Sequence, residues 1–145
     1  MSHTYVQNAL HVVFSTRQRE KTIRDPARLW EYTAAICQKL DVHVQAVGGT
    51  TDHIHLLIQI PPTIPVAKVV LTVKTDSSKR ANQLDWHFAW QKGYAAFSVS
   101  ASAAPSVIAY IRNQPEHHRK MNFEQEFLAL LKKHNVPYDP QYVLG

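Results

Sequence analysis

The sequence predicts an α+β domain of the ferredoxin-like (RRM-like) class, in which a four-stranded, mostly antiparallel sheet carries helices on one face and further helices follow at the C-terminus. Two observations lead to this prediction. Short segments rich in β-forming residues alternate with helical patterns in the order β-α-β-β-α-β. The 145 residues are 45% hydrophobic and 19% charged, which suits one domain with a sizeable core. Such a sheet is expected to leave its other face open for a ligand.

The first half of the chain contains a strand, a helix and a hairpin. Residues 9–15 (ALHVVFS) are rich in β-forming residues. A helix is predicted over residues 25–40, because Asp25 can cap it, Pro26 suits the first helical position, and apolar residues then recur at helical spacing. Residues 42–49 form a second strand, and two glycines and two threonines turn the chain into a third strand over residues 50–60.

The second half supplies the remaining elements. The prolines at residues 61–65 end the third strand, and valines from residue 66 onward follow a helical period before a polar end at DSSKRANQ. Residues 94–101 (YAAFSVSA) are the fourth strand. A helix begins at residues 104–106, and residues 123–134 (FEQEFLALLKKH) form an amphipathic helix near the C-terminus.

Composition narrows the class of protein. The formal charge of +5 and the sequence pI of about 9.4 favour a polyanionic partner. The only cysteine, Cys37, allows no disulfide within the chain and is expected to be a buried residue in a reducing compartment. No signal-peptide pattern is present, and no apolar run approaches the roughly 20 residues that span a bilayer. A cytoplasmic protein with no membrane partner is expected.

The third strand contains two histidines where a buried sheet usually has valine. In TTDHIHLLIQI, residues 50–60, His53 and His55 point to one face, and an isoleucine-rich and leucine-rich set points to the other. Their Cα atoms lie about 6.6 Å apart. Two neutral imidazoles on one rigid strand can supply two metal ligands, although structural histidines at the surface or in hydrogen bonds would give the same pattern.

A tyrosine and a glutamine further along could complete such a site. Tyr110 and Gln114 are four residues apart, hence about 6 Å along one side of a helix, and Gln114 falls on the apolar stripe of that helix. Each alone could be structural, as a buried amide bonded to backbone or a half-buried aromatic ring. Together with the histidines, the amide oxygen could help to hold a divalent ion, and the phenol could attack a phosphate bound there.

With these residues the chain resembles a known family: the single-tyrosine HUH transposases of hairpin-ended insertion sequences and their relatives associated with repetitive extragenic palindromes. HUH denotes histidine, a bulky hydrophobic residue and histidine, here His53, Ile54 and His55. The matching segments span nearly the whole chain: ALHVVFSTRQRE, TTDHIHLLI, WQKGYAAFSVS, VIAYIRNQPEHH and FEQEFLALLKKHNVPYD.

The resemblance implies that residues 1–145 are a single HUH transposase domain, a metal-dependent enzyme for DNA transposition and recombination. Its substrate would be single-stranded DNA with hairpin ends, cut and rejoined at the ends of a mobile element. Tyr110 would be the nucleophile that forms a 5′-phosphotyrosine link. The ion, Mg²⁺ or Mn²⁺, would be held by His53, His55 and Gln114. The resemblance also implies a homodimer in which the tyrosine helix of one protomer can dock on the histidines of the other.

Pro115 directly follows the predicted ligand Gln114. Because proline disfavours helical geometry in the residue before it, we expect a kink that either aims the amide or disturbs the site.

Ten cations are candidates for contact with DNA phosphates. They lie after the first strand, at the end of the second helix and around the tyrosine: Arg17, Arg19, Lys21, Arg24, Lys74, Lys79, Arg80, Arg112, Arg119 and Lys120. The aromatic segment Trp86 to Trp90 could stack on unpaired bases or belong to the core. His117 and His118 could contact phosphate or be exposed residues at a helix end.

Two other functions remain open from the sequence. The chain could be a domesticated or inactive protein that binds DNA or RNA hairpins without cutting them. It could also be a metal-dependent phosphodiesterase that uses water, with Tyr110 in a structural role.

Overall fold

The computed structural model describes residues 3–145 and contains a four-stranded, fully antiparallel sheet of order β2-β3-β1-β4. The strands are β1 (Ala9–Ser15), β2 (His43–Gly49), β3 (His53–Gln59) and β4 (Ala95–Val99). The helices are α1 (Pro26–Lys39), α2 (Val66–Gln83), α3 (Ala104–Arg112), α4 (Gln114–His117) and α5 (Phe123–Lys133), and a short 3₁₀ turn spans Arg17–Arg19. This order confirms the predicted ferredoxin-like fold class.

One face of the sheet packs against α1 and α2. Ile54, Leu56 and Ile58 of β3 point to this face and contact Val69 and Val73 of α2 in the largest core cluster. The alternation of β3 therefore separates two environments, because the residues between these three point to the opposite face.

The opposite face is covered too, which corrects the expectation of an open face. Phe123, Phe127 and Leu130 of α5 pack on the apolar residues of β1 and β4, while α3 packs on β2 and β3 through Ile111. Residues such as Phe97, which is 3% exposed, would otherwise present a large apolar surface to water. Any site built on His53 therefore lies between the sheet and the C-terminal helices.

Pro115 interrupts the helix that carries the predicted tyrosine. Helix α3 ends at Arg112, Asn113 (φ −94°, ψ 14°) forms the break, and Pro115 lies in the first turn of α4. Proline is favoured in the first turn of a helix. The backbone N–H groups there have no partner within the helix, so the missing N–H of proline costs nothing. The kink precedes Gln114 and leaves its side chain fully buried.

The aromatic segment after α2 belongs to the core. Of the two alternatives for Trp86 and Phe88, the structure therefore supports the core position and not the stacking on bases. Their exposed fractions are 5% and 4%, and they pack against Leu29 and Ala81. The indole N–H of Trp90 donates to Ser77 Oγ at 2.9 Å.

In the described part of the chain, residues 3–145, none of the helices combines the length and the hydropathy needed to cross a bilayer.

Glycine at position 48 permits the close approach of α3 to the sheet. A Cβ atom built on Gly48 would lie 2.4 Å from the backbone oxygen of Ile111. That oxygen belongs to the helix whose last turns carry Tyr110 and lead to Gln114. The backbone of β2 thus sets the distance between the histidine strand and the tyrosine helix.

We expect Gly48→Ala to lower the free energy of unfolding by about 2–3 kcal/mol, because the added methyl group forces α3 away from the sheet. The measurement is urea unfolding followed by circular dichroism. Gly93→Ala is the matched control, since a Cβ there would meet only Gly145 O at 3.9 Å, and it should change stability by less than about 0.5 kcal/mol. Equal stability of the two variants would contradict the close packing.

Candidate active site

The two histidines of β3 are fully buried and present the same ring nitrogen to the space under α3 and α5. His53 Nδ1 lies 2.7 Å from Asp52 Oδ1, and His55 Nδ1 lies 2.8 Å from His11 Nε2. With each Nδ1 atom engaged, the Nε2 atoms face the C-terminal helices. Hydrogen bonds of this kind fix the tautomer and orientation of histidines that bind metals.

Gln114 and Tyr110 both reach this space from the same chain. Gln114 Oε1 lies 2.8 Å from His53 Nε2, and the amide group of Gln114 donates to Glu126 Oε2 at 2.9 Å. The hydroxyl group of Tyr110 also donates to Glu126 Oε2. The structure thus brings together Tyr110, His53, His55 and Gln114.

Glu126 of α5 lies at the centre of the cluster and was missed by the sequence analysis. Its side chain is 1% exposed, and its Oε1 atom lies 2.8 Å from His55 Nε2, 3.0 Å from His118 Nε2 and 3.6 Å from His53 Nε2. A signal for it exists in the sequence. Glu126 falls on the apolar stripe of α5, three residues after Phe123 and four before Leu130, as Gln114 does on its own helix.

His118, His11 and Asp52 also join the site without having been predicted. His118 was expected among exposed residues at a helix end, yet its side chain is only 10% exposed. His11 is buried on β1 and points to the same face of the sheet as Val13. The partner of Val13 on the neighbouring strand β3 is His55. A histidine on the inward side of an apolar strand was the available signal.

The burial of the cluster determines its protonation. Burial lowers the pKa of His55 to about 4 and that of His11 to about 3, so both rings are neutral near pH 7. Burial would raise the pKa of Glu126, but hydrogen bonds from His118 and His55 outweigh it and hold that pKa below its ordinary value. Burial and the bond to Glu126 raise the pKa of Tyr110. The carboxylate is therefore charged and the phenol protonated.

The donor atoms of the cluster fit a divalent metal ion. One ligand atom each from His53, His55, His118 and Glu126 lies within 4.8 Å of all the others. Neutral imidazoles and a charged carboxylate are the ligand types that divalent ions bind in proteins. The buried cluster can therefore hold a single cation next to Tyr110.

Three of the predicted DNA-binding cations flank this cluster. Lys21 and Arg119 line an open depression beside Asp52 and His118. Arg112 lines a second depression beside Tyr110. One depression therefore adjoins the histidine cluster, and the other adjoins the tyrosine.

The other seven predicted cations lie further away or have structural partners. Arg19 pairs with Glu124 at 3.3 Å, and Lys74 donates to the carbonyl oxygens of Gln91, Lys92 and Gly93. Five are exposed: Arg17, Arg24, Lys79, Arg80 and Lys120. Those on α2 lie behind the sheet, on the face opposite the histidines.

We expect Lys74→Met to lower the free energy of unfolding by about 1–3 kcal/mol, because three carbonyl oxygens, two of them in partly buried hydrogen bonds, lose their donor. The measurement is urea unfolding at neutral pH, combined with titration of single-stranded DNA. Lys79→Met, five residues further along α2 at an exposed position, is the control and should cost less than about 0.5 kcal/mol. If Lys74→Met instead weakens DNA binding without loss of stability, Lys74 contacts phosphate and not the loop.

Comparisons with known proteins agree with this architecture. Residues 4–114 match the family described as "Transposase IS200 like". The chain is 25% identical over 126 residues to the transposases for insertion sequence element IS200 of Salmonella typhimurium and Salmonella typhi, covering 80% of this chain and 82% of each relative. The region that matches the family, residues 4–114, includes both histidines of β3, Tyr110 and Gln114, whereas His118 and Glu126 lie beyond it.

Two solved structures share the fold. A candidate transposase from Deinococcus radiodurans has a TM-score of 0.62 and 22% identity, over 79% of this chain and 96% of that one. A REP-associated tyrosine transposase bound to a REP hairpin has a TM-score of 0.61 and 12% identity, over 81% of this chain and 73% of that one.

Proposed function

We propose that this chain, which belongs to the family of IS200-like transposases, cuts and rejoins single-stranded DNA at the ends of a mobile element, with Tyr110 as nucleophile. One observation carries the proposal. The hydroxyl group of Tyr110 and the imidazole of His55 bind the same buried carboxylate, Glu126, so nucleophile and histidine pair face one space.

In the proposed reaction the Tyr110 oxygen attacks a phosphodiester phosphorus. A bond forms between this oxygen and phosphorus, the bond from phosphorus to the 3′ oxygen breaks, and the DNA leaves with a free 3′-hydroxyl group. Glu126 Oε2 accepts the hydrogen bond of the phenol, so it would orient the attacking oxygen and hold the proton that must leave it. Overall that proton ends on the 3′-hydroxyl group, and the phosphotyrosine retains the bond energy for rejoining.

A divalent cation, Mg²⁺ or Mn²⁺ as the resemblance implies, would be held by His53, His55 and Gln114 and would neutralise charge that develops on the phosphate. Side chains of the same chain orient the proposed ligands. Asp52 and His11 hold the two rings with Nε2 inward, and Gln114 Oε1 lies 2.8 Å from one of those nitrogens.

The proposed substrate is single-stranded DNA with hairpin ends. A structural relative binds a REP hairpin, and this chain carries a formal charge of +5. Lys21, Arg112 and Arg119 are the cations closest to the cluster, so we assign them to the scissile strand. Contacts of this kind lose affinity steeply as salt rises.

We also propose a homodimer in the cytoplasm. One chain already contains Tyr110 and the histidines in a single cluster, so the arrangement described above needs no residue from a second protomer. Exchange of the tyrosine helix between protomers stays a prediction from the resemblance.

The test is incubation of the full chain with single-stranded DNA from the flanks of its own gene, with and without divalent metal. A covalent protein–DNA adduct that requires the metal supports the proposal. Binding without cleavage would identify a hairpin-binding protein, and hydrolysis without an adduct would identify a phosphodiesterase that uses water. Either of those results would contradict the proposal.

A further inference from the structure

We infer that Glu126 and His118 are themselves ligands of the cation. With His53 and His55 they form a donor set of three imidazoles and one carboxylate that takes a first-row transition ion, such as Mn²⁺ or Zn²⁺, in preference to Mg²⁺. This inference rests on the proposed function and deepens it, because it changes the ligands and the ion of the same site.

The distances between the donor atoms are close to those of a metal site. Bonds of about 2.0–2.2 Å in tetrahedral geometry separate neighbouring ligand atoms by roughly 3.3–3.6 Å. Glu126 Oε1 lies 2.8 Å from His55 Nε2, 3.0 Å from His118 Nε2 and 3.6 Å from His53 Nε2. All four ligand atoms lie within 4.8 Å of one another, so shifts of about an ångström in the side-chain positions would bring them to the spacing of a metal site.

The environment of Glu126 calls for a cation. Its side chain is 1% exposed, and its ion-pair partners within residues 3–145 are all histidines, with no lysine or arginine among them. No lysine or arginine pairs with this buried carboxylate, so a metal ion would add a full positive charge to the hydrogen bonds that Glu126 already accepts. A metal ion supplies that charge and binds the nitrogens that already converge on Oε1.

The types of donor atom decide the class of ion. Mg²⁺ prefers near-octahedral oxygen ligands and keeps several waters, whereas imidazole nitrogen suits Zn²⁺ and other transition ions. Three nitrogens and one carboxylate, each from a buried or nearly buried side chain, match the second class. Gln114 then acts as a positioning residue, because its amide group donates to Glu126 Oε2 at 2.9 Å.

A ligand role for Glu126 would also link the ion to the nucleophile. Oε1 faces the three imidazoles, and Oε2 accepts the hydrogen bond of Tyr110. Both new ligands come from the chain beyond residue 114, where the match to the family ends. The C-terminal segment would therefore supply ligands of the site in addition to covering the sheet.

The test is calorimetric titration of the full chain, freed of metal by a chelator, with MnCl₂, ZnCl₂ and MgCl₂ in turn. We expect one Mn²⁺ or Zn²⁺ ion per chain, bound at least about tenfold more tightly than Mg²⁺. Glu126→Gln and His118→Ala should each weaken binding of the transition ion by at least about tenfold. Glu124→Gln on the exposed side of α5 and His43→Ala on the exposed side of β2 are the matched controls and should stay within about twofold.

Thermal melting in chelator separates a ligand role from a structural one. Glu126→Gln should fold and lose the rise in melting temperature that Mn²⁺ or Zn²⁺ gives the parent chain. If Glu126→Gln does not fold, His118→Ala decides the question, because that side chain lies at the rim of the cluster and is 10% exposed. Co²⁺ absorption in the visible range should also change in both variants, since it reports the ligand set.

Normal binding by Glu126→Gln and His118→Ala, together with loss of binding by His53→Ala, would overturn this inference and leave the ligands implied by the resemblance. Tighter binding of Mg²⁺ than of Mn²⁺ or Zn²⁺ would overturn it as well. The proposed function fails by a different result, the absence of a covalent adduct with DNA, so the two failures are distinguishable.

Discussion

Replacement of Tyr110 by phenylalanine should lower the rate of DNA strand cleavage by about 10⁴-fold or more, because it removes only the oxygen that is proposed to attack phosphorus. The ring packs beside His55 at a centroid distance of 5.7 Å, and that contact is preserved. The measurement is formation of the covalent adduct on radiolabelled single-stranded DNA, separated in denaturing gels.

Tyr94→Phe is the control for the first prediction. Tyr94 is 36% exposed and lies near Lys74, away from the cluster, so its variant should cleave at the parental rate. Binding of the hairpin DNA should be unchanged in both variants. Parental cleavage by Tyr110→Phe would show that another nucleophile acts.

Replacement of His53 by glutamine should weaken metal binding by about 100-fold or more and reduce cleavage in parallel. Glutamine keeps a polar side chain near Asp52 and Gln114 but lacks the imidazole nitrogen. A higher metal concentration should partly restore cleavage, because the defect lies in affinity for the ion. The measurement is adduct formation as a function of metal concentration, next to calorimetric titration of the ion.

His43→Gln is the control for the second prediction. His43 begins β2, is exposed, and should tolerate the change without effect on either readout. Affinity for hairpin DNA should stay within about threefold in both variants, since the phosphate contacts are assigned to lysine and arginine. Loss of cleavage with unchanged metal affinity would contradict the ligand role of His53.

Local patterns were sufficient to predict the fold. Gly48 and Gly49 with the threonines that follow predicted the hairpin of β2 and β3, and Asp25 with Pro26 predicted the start of α1. The alternation of β3 placed its two histidines on one face. These features depend on neighbours within a few residues, where chain geometry restricts the outcome.

The position of α5 could not be predicted in the same way. Its amphipathic pattern showed which side would be buried, but not which part of the sheet it would cover. Glu126 meets His55 across 71 residues of sequence, and that contact depends on the break at Asn113 and on the packing of Phe123 and Phe127. The prediction of an open sheet face was wrong for the same reason, because α3 and α5 of the same chain pack on that face.

Lys74 illustrates a different limit. A cation at the polar end of a helix usually contacts solvent, and within a cluster of cations it is a candidate for contact with phosphate. The loop over residues 91–93 instead directs three carbonyl oxygens to its ammonium group. Tertiary contacts of this kind have no local signature.

The most direct test of the account is to map the residue that carries DNA after cleavage. Trypsin releases residues 93–112 as one peptide, which contains both Tyr94 and Tyr110. We predict a nucleotide attached through a 5′-phosphate to Tyr110 and none on Tyr94, formed only when divalent metal is present. Attachment to any other residue, or cleavage that leaves this peptide unmodified at every time point, would contradict the assignment of Tyr110 as the nucleophile beside the buried cluster.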